Sequence, residues 1–349
     1  MTAITPTATT ALKHARALAS VLLEHGDLLT VVESRMTELA GDRLVDPGAR
    51  MIHEHLGAGG KRLRARLALA ACKALGGRAE YAVDWAAAVE LLHNATLVHD
   101  DIQDGDRTRR GKPALWARYG ASQAINAGDL LLMLPFRALR GYPAHVQSAL
   151  VQILAEYAET TARGQILELA SAATTGEGWG GYFRAVSGKT GTLFALPVRG
   201  AAELAGLETD EANSLALTFS SIGILYQLQD DLLDLFNAKG RRSRGSDIYE
   251  GRLSAVVLSH LDLHPSDTGE VLEILEKPRE ETTEQEVSQL IDRFISEGAA
   301  ERLRDRIDAM ASRFVEGRVG TSSNIQALVR ELVDCVLTPL DLLNGDSHD

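Results

Sequence analysis

The chain has 349 residues, of which 45% are hydrophobic and only 5% aromatic, and its formal net charge is -12 at pH 7. This charge argues against a nucleic-acid partner, because neutralising phosphates requires a basic surface. No stretch approaches the ~18 to 20 apolar residues that a membrane-spanning helix needs, and the first residues lack a cationic run followed by an apolar one. We therefore expect a soluble, cytoplasmic protein without a stable membrane span.

The predicted elements are almost all helices, because Ala and Leu dominate the apolar residues and β-branched runs between turn residues are scarce. Segments with apolar residues at i, i+3, i+4 and i+7 follow one another along the chain. They cover roughly residues 10–40, 46–57, 62–76, 80–104, 120–139, 144–171, 179–196, 209–236, 253–261, 284–316 and 323–344. We expect one all-α domain over residues 10–344, with a flexible N-terminal tail at 1–9 and a C-terminal tail at 345–349.

One short motif, DDxxD, occurs twice, each time at the C-terminal end of a long apolar segment. In a helix, residues i and i+4 lie one turn apart on one face, so the outer aspartates repel one another, and the helix dipole also disfavours anions there. Mg²⁺ would supply the missing positive charge, since it takes oxygen ligands from a few carboxylates together with substrate phosphates. The alternative is a solvated acidic helix end, which the repetition of the motif disfavours. The candidate metal ligands are Asp100, Asp101 and Asp104 in the first motif and Asp230, Asp231 and Asp234 in the second motif.

Cations follow both motifs along the chain. Arg109 and Arg110 come after the first motif, and Lys239, Arg242 and Arg252 come after the second. Guanidinium groups beside metal-binding carboxylates suit a phosphate that is shared between a metal and an arginine. The pattern therefore indicates a substrate that carries phosphate groups.

A third basic cluster, GGKRLR at residues 59–64, precedes a predicted helix. Its glycines permit close backbone approach and a helix N-terminus favours anions, so the cluster suits a second phosphate group, with a solvated loop as the alternative. His93 stands two helical turns before Asp100 and so on the same face. It can donate a hydrogen bond to phosphate, unless it is an ordinary core histidine.

As an ordered set these motifs resemble the trans-polyprenyl diphosphate synthases, the family that makes geranyl, farnesyl, geranylgeranyl and longer diphosphates. The set comprises GGKRLR, DDIQD with the following RRG, SGKTGTLF, and YQLQDDLLD. The resemblance implies a single large helical bundle around a central cavity, of the type I isoprenoid synthase kind, and a homodimer. It also implies Mg²⁺-dependent condensation of isopentenyl diphosphate with dimethylallyl, geranyl or farnesyl diphosphate, with three Mg²⁺ ions per active site.

The same resemblance assigns roles to individual residues. Isopentenyl diphosphate would contact Lys61, Arg64, His93 and Arg110. The allylic diphosphate would contact Arg109, Lys189 and Thr190, and Gln227 belongs to the second motif. Arg242 and Arg252 stand where the family has two late lysines, and Lys239 is an alternative for the first of them. The residues expected to take part in catalysis are Asp100, Asp104, Arg109, Lys189 and Asp230.

Product length should depend on the face of the 80–104 helix, whose pitch of ~5.4 Å is near the reach of one isoprene unit. One turn before the first motif stand Ala95 and Thr96, which are small, and further turns bring Leu92 and then Val89. These residues predict a pocket deeper than a C15 chain. Closure near C20 would come from Leu92 with a residue of the next helix, namely Met133, Leu134 or Phe136. We therefore expect geranylgeranyl diphosphate, with farnesyl or C25 and longer products as alternatives.

Three other classes of protein are alternatives to this interpretation. A terpene cyclase shares one DDxxD motif but needs no GGKRLR cluster. A helical metal phosphohydrolase is suggested by His53, His55 and His99, although it leaves the second motif unused. A non-catalytic partner subunit of another synthase is the third, and it would not be expected to retain both motifs.

Overall fold

The computed structural model describes residues 26–170, 177–236, 244–317 and 322–345. The predicted all-α class is confirmed, because helices carry nearly all of these residues. In chain order they are α1 (Gly26–Ala40), α2 (Pro47–Leu56), α3 (Leu63–Ala74), α4 (Val83–Gln103), α5 (Leu115–Tyr119), α6 (Ala121–Ala138), α7 (Ala144–Leu169), α8 (Gly178–Val186), α9 (Thr192–Leu204), α10 (Thr209–Asp234), α11 (Ser246–Tyr249), α12 (Ala255–Leu263), α13 (Thr268–Leu275), α14 (Glu284–Ser296), α15 (Ala299–Glu316) and α16 (Ser323–Gly345).

The helix α4 lies in the centre of the bundle, and most of its side chains are buried on every side. It packs along α6 and also contacts α1, α3 and α9. Trp85 near its N-terminus is fully buried, and its ring nitrogen donates a hydrogen bond to the carbonyl oxygen of Pro197 in α9 at 3.0 Å. The apolar sequence before the first motif is therefore the core helix of the molecule, and its C-terminal end carries the aspartates.

A small antiparallel hairpin follows α4. Its strands β1 (Thr108–Arg109) and β2 (Lys112–Pro113) are joined by Arg110 and Gly111, which both have positive φ angles of 52° and 76°. Two successive residues with positive φ form the tight turn that suits a two-residue hairpin loop. The hairpin thereby fixes where the two arginines after the first motif lie.

Two predicted segments differ from the structure in continuity. The segment 284–316 is two helices, α14 and α15, because Gly298 between them has a φ angle of +88° that ends the first helix. The segment 179–196 contains one wider turn of π-helix, Ser187–Gly191, between α8 and α9. The short helices α5, α11 and α13 were not predicted.

The predicted tail at 1–9 and the residues 346–349 of the C-terminal tail lie outside the described residues, and so does the part of the predicted 10–40 helix before Gly26. Among the helices that the structure describes, none is long and apolar enough to cross a lipid bilayer.

Candidate active site

The two aspartate motifs lie at helix ends, as the sequence predicts. Asp104 directly follows the last residue of α4, and Asp234 is the last residue of α10. Each motif therefore has its carboxylates at the end of a helix where the dipole does not stabilise them. Nearby cations must provide the compensation.

Two partly buried cations contact the first motif. Lys189 Nζ lies 3.6 Å from Asp100 Oδ1 and 2.5 Å from Glu168 Oε2. Arg252 Nη2 lies 2.6 Å from Asp104 Oδ1, and its Nη1 lies 3.2 Å from Glu168 Oε1. Glu168 thus joins both cations, and the five side chains form one network of ion pairs at the end of α4.

Burial and charge act in opposite directions on this network. Burial raises the pKa of Asp100, Lys189 lowers it, and the nearby carboxylates of Asp104 and Glu168 raise it further. Burial lowers the pKa of Lys189, but Glu168 and Asp100 together raise it above its ordinary value. The lysine is therefore protonated, while the carboxylates next to it carry more negative charge than one lysine can neutralise.

The π-helical turn connects the network to the second motif. Lys189 reaches Asp100 on α4, and the next residue, Thr190, donates a hydrogen bond from its hydroxyl to Gln227 Oε1 on α10 at 3.0 Å. The wider turn presents two successive side chains to two different helices. The sequence GKT in this turn is thus the physical link between the two aspartate helices.

Close packing of glycines sets the position of this turn. Gly164 on α7 lies against Gly188, and a Cβ atom at Gly164 would lie 2.2 Å from the backbone nitrogen of Lys189. Only glycine at this crossing allows α7 to approach the π-helical turn. Glu168 follows one helical turn after Gly164, which explains why its carboxylate meets Lys189.

The second motif uses two of its aspartates to hold protein groups. Asp231 is 4% exposed and accepts hydrogen bonds from Tyr182 Oη at 2.9 Å, Gln227 Nε2 at 2.8 Å and the backbone nitrogen of Ala255 at 2.8 Å. These bonds fix the N-terminus of α12 and the aromatic face of α8 against α10. Asp230, by contrast, is only partly buried.

Asp234 holds the loop that follows the second motif. Its carboxylate is 4% exposed and accepts hydrogen bonds from Ser246 Oγ at 2.6 Å and the backbone nitrogen of Asp247 at 3.1 Å. The loop then continues to Arg252, which is how that arginine reaches Asp104. Lys239 and Arg242, the other late cations of the prediction, lie outside the described residues.

Asp101 of the first motif points to the hairpin. It is 1% exposed, and its Oδ1 lies 2.6 Å from Nη2 of Arg109. Burial raises the pKa of Asp101 to about 6, while Arg109 lowers it. The carboxylate therefore fixes the guanidinium of Arg109 next to the network.

The GGKRLR cluster and the hairpin meet on the same side of α4. Arg110 donates a hydrogen bond from its guanidinium to the carbonyl oxygen of Gly59. Gly60 lies so close that a Cβ atom there would overlap this guanidinium. Lys61 is exposed, and Arg62 is 5% exposed because it donates to the carbonyl oxygen of Leu56 at 2.7 Å. Arg62 is thus a structural residue.

Arg64 and His93 form a pair beneath this loop. Arg64 Nη1 lies 3.0 Å from His93 Nε2, and the guanidinium also stacks over the ring of Phe194 at 5.4 Å. Burial, followed by the charges of Arg64 and Arg110, lowers the pKa of His93 well below its ordinary value. A neutral ring that accepts a hydrogen bond at Nε2 carries its proton on Nδ1, and Nδ1 is buried without a partner among the described residues.

The residues predicted to set product length lie on α4. Val89 and Ala95 are fully buried, and Leu92 is 3% exposed. Thr96 is partly buried, and its hydroxyl donates to the carbonyl oxygen of His93 at 2.8 Å.

The three residues of the next helix, α6, differ in exposure. Leu134 is 5% exposed and Phe136 packs against the core. Met133 is 56% exposed in the single chain, so Leu134 and Phe136 are the two of these three alternatives that face the core.

The histidines that suggested a phosphohydrolase do not come together at a metal site. His99 Nε2 lies 3.5 Å from Asp129 on α6, and His53 Nε2 lies 2.9 Å from the carbonyl oxygen of Gly41. His55 is 7% exposed, and burial together with three arginines lowers its pKa to about 3. It is a neutral core residue behind the arginine cluster.

Several functional neighbours have no signal in the sequence. Glu168 is the chief one, because α7 also carries Glu156 and Glu159, and nothing in the pattern distinguishes them. Tyr182 is another, since it lies after a glycine-rich segment far from both motifs. Arg279, which donates to the carbonyl oxygen of Asp104, is a third.

An all-α bundle with two aspartate motifs at helix ends, and with two cations paired to the first motif, is the arrangement of a class of enzymes that act on diphosphates. A family model described as polyprenyl synthetase matches residues 48–294. A geranylgeranyl pyrophosphate synthase of Geoglobus acetivorans is 34% identical over 298 residues, which are 83% of this chain and 91% of the relative. The chain therefore belongs to the polyprenyl synthetase family, and it is a prenyltransferase.

Solved structures agree with this assignment. A polyprenyl synthase of Caulobacter crescentus, complexed with calcium and isoprenyl diphosphate, superposes with a TM-score of 0.81 at 26% identity, over 91% of this chain and 98% of that one. A geranylgeranyl pyrophosphate synthetase of Pyrococcus horikoshii Ot3 gives a TM-score of 0.79 at 27% identity, over 93% and 99% of the two chains.

Proposed function

We propose that this enzyme condenses isopentenyl diphosphate with an allylic diphosphate in the trans configuration and that its product is geranylgeranyl diphosphate. The observation that supports this most directly is the network in which Lys189 and Arg252 join Asp100, Asp104 and Glu168. Two fixed cations beside an excess of carboxylates suit a diphosphate that arrives together with divalent metal ions.

The carboxylates proposed as Mg²⁺ ligands are Asp100, Asp104 and Asp230. They fit the ion because carboxylate oxygens are the ligands it prefers, and because the three carboxylates of the network at the end of α4 outnumber its two cations. When bound, Mg²⁺ would stabilise the negative charge that develops on the leaving diphosphate. Asp101, Asp231 and Asp234 accept hydrogen bonds from protein groups, and they are proposed to position those groups around the metal site.

The cations of the chain would then hold the two substrates separately. The allylic diphosphate would contact Arg109, which Asp101 holds, and Lys189, which Glu168 holds. These two cations would stabilise the negative charge of the leaving diphosphate. Isopentenyl diphosphate would bind to Arg64, Arg110 and Lys61, and it would accept a hydrogen bond from Nδ1 of His93. The apolar side chains of α4 exclude water, which would otherwise trap the allylic cation.

The proposed product length depends on α4 and on the relatives. The small side chains of Ala95 and Thr96, one turn before the first motif, would leave room for a chain longer than C15. Relatives of Geoglobus acetivorans and Methanosarcina mazei are named geranylgeranyl synthases, both at 34% identity. A Mycobacterium bovis relative at 33% identity is named a farnesyl diphosphate synthase, so product analysis must decide between the two lengths.

The test is incubation of the purified chain with Mg²⁺, isopentenyl diphosphate and, in turn, the C5, C10 and C15 allylic diphosphates, followed by chain-length analysis. We expect a C20 product from each primer. A C15 end product, or a series of C30 and longer, would contradict the proposed length. Hydrocarbon formed from the allylic diphosphate alone would favour a terpene cyclase, and inactivity with all primers would favour a non-catalytic subunit.

A homodimer is also proposed. Three apolar side chains on α6, Ile125, Leu130 and Met133, are between 44% and 56% exposed, which suits a face covered by a second copy. Light scattering during size-exclusion chromatography should give twice the mass of one chain. Ile125→Glu should shift the mass towards the monomer, and an unchanged dimer would show that this face is not the interface.

A further inference from the structure

A cluster of two histidines and a glutamate lies at the C-terminal end of α12, and the proposed reaction does not use it. His260 and His264 are one helical turn apart, and Glu297 lies at the junction between α14 and α15. His260 Nδ1 and His264 Nε2 are each 3.8 Å from the same oxygen, Glu297 Oε2. All three ligand atoms lie within 4.8 Å of one another.

We propose that His260, His264 and Glu297 bind one Zn²⁺ ion. Two imidazole nitrogens and a carboxylate oxygen are a common set of three protein ligands for Zn²⁺, with water in the fourth position. Around a tetrahedral ion with bonds of ~2.0–2.1 Å, neighbouring ligand atoms lie ~3.3 Å apart. The two 3.8 Å distances to Glu297 Oε2 exceed this spacing by about half an ångström, and the distance between the two imidazoles, which is within 4.8 Å, exceeds it by at most ~1.5 Å. Side-chain rotation provides this closure.

The state of His260 supports the site independently of the spacing. Its side chain is fully buried, yet Nδ1 has no hydrogen-bond partner among the described residues. Nε2 lies 3.0 Å from Oδ2 of Asp267, so Nε2 carries the proton and Nδ1 presents a lone pair to Glu297. Metal-binding histidines usually donate their other N–H to a carboxylate in this manner.

The charges around the cluster also suit a cation. Glu297 Oε2 faces a nitrogen of each imidazole, so the cluster presents one carboxylate charge that a cation can balance. Arg293 Nε lies 3.6 Å from Glu297 Oε1 and its guanidinium donates to Asp267, so it holds both carboxylates while Oε2 of Glu297 turns to the imidazoles. His264 Nε2 would give up a 3.3 Å contact with the carbonyl oxygen of Glu297 to bind the metal.

The proposed site differs chemically from the aspartate motifs. Nitrogen ligands favour Zn²⁺ or Co²⁺ over Mg²⁺, which prefers oxygen. Its position suggests a structural role, because it would tie the C-terminus of α12 to the junction of α14 and α15. The N-terminus of α12 supports Asp231 through the backbone nitrogen of Ala255. A bound ion would therefore stabilise the helix that supports the second motif.

The test is titration of untagged, chelator-treated protein with Co²⁺ in the presence of excess Mg²⁺, which occupies oxygen-rich sites. We expect one equivalent of Co²⁺ with the strong visible absorption of a tetrahedral site, displaced by Zn²⁺. His264→Ala and Glu297→Gln should weaken binding by ~10-fold or more. His145→Ala removes an exposed histidine on α7 and should leave binding unchanged.

A second measurement separates binding from misfolding. Zn²⁺ should raise the melting temperature of the wild-type protein and of His145→Ala. It should not change the melting temperature of His264→Ala or Glu297→Gln. Circular dichroism checks that these two variants keep their helical content. Equal Co²⁺ absorption in wild type and both ligand variants, or no absorption in the wild type, would overturn the proposal.

Discussion

Arg252 Nη2 lies 2.6 Å from Oδ1 of Asp104, so a cation on the loop after the second motif neutralises the last aspartate of the first. The same guanidinium contacts Glu168, and Glu168 contacts Lys189. The loop after the second motif is thus coupled to the first motif through the protein's own side chains. A change at Arg252 should affect the first motif even though it follows the second in the chain.

Replacing Arg252 tests this coupling. Arg252→Ala leaves Asp104 and Glu168 without the cation that they share, and a hydrogen bond to a charged group contributes ~1.5–3 kcal/mol. We expect kcat/KM to fall by about 10- to 100-fold, with Arg252→Lys intermediate because it keeps the charge and loses the planar fork. Steady-state kinetics with both substrates measure this. Arg163→Ala serves as the control, because Arg163 is an exposed arginine that pairs with the exposed Glu159. Equal activity of Arg252→Ala and Arg163→Ala would contradict the coupling.

Glu168 should act by positioning Lys189 and Arg252. In Glu168→Gln the amide can no longer pair with both cations, so the lysine and the arginine lose their fixed directions. We expect the KM for the allylic diphosphate to rise by about 10-fold, since that loss corresponds to ~1.4 kcal/mol, and the KM for isopentenyl diphosphate to stay unchanged. Glu159→Gln on the same helix is the matched control. If both KM values rise together, Glu168 supports the fold generally and does not select the allylic site.

The crossing of Gly164 and Gly188 should be intolerant of a methyl group. A Cβ atom at Gly164 would lie 2.2 Å from the nitrogen of Lys189, so Gly164→Ala must move the π-helical turn away from α7. Overpacking of this kind costs ~1–3 kcal/mol of stability. We expect a lower melting temperature and a loss of activity that exceeds the loss of folded protein. Gly269→Ala, where a Cβ atom meets nothing within 4 Å, should be stable and active. An active, stable Gly164→Ala would show that the crossing is not tight.

Bulky residues one turn before the first motif should shorten the product. Thr96→Phe adds an aromatic ring next to His93 on the partly buried side of α4, and Ala95→Phe tests the neighbouring position. We expect both variants to accumulate C15 or shorter products with C5 and C10 primers, measured by chromatography of the dephosphorylated alcohols. Thr96→Val keeps the size and should keep the product. An unchanged length in both Phe variants would mean that the chain grows along another wall.

The sequence predicts the helices that carry the motifs, because their apolar spacing and the repeated DDxxD are local features. It does not predict which aspartates are held by protein groups. Asp231 is fixed by Tyr182 and by the backbone of Ala255, and both partners are distant in sequence. Glu168 became recognisable only when Gly164 and Gly188 brought α7 against the π-helical turn. Pairing within the site is a tertiary property, whereas the motif is a local one.

His55 should make the protein less stable as the pH falls. Burial and the charges of Arg109, Arg110 and Arg62 lower its pKa to about 3 in the folded chain, against an ordinary value of 6.5. Between these values the unfolded chain binds more protons, so the stability that His55 contributes is present above pH 6.5 and is lost as the pH falls towards 3. From pH 7 to 5 this loss is ~2 kcal/mol, since one pKa unit corresponds to ~1.4 kcal/mol.

Urea unfolding at a fixed protein concentration, with wild type and His55→Asn compared at pH 7 and pH 5, measures this loss. The free energy of unfolding of the wild type, relative to the variant, should fall by that ~2 kcal/mol. His145→Asn, which changes an exposed histidine, provides the control for a side chain that water solvates in both states. A constant difference between wild type and His55→Asn would mean that His55 accepts a proton in the folded protein as readily as in the unfolded one. In that case Arg62, Arg109 and Arg110 do not share a low-dielectric environment with His55.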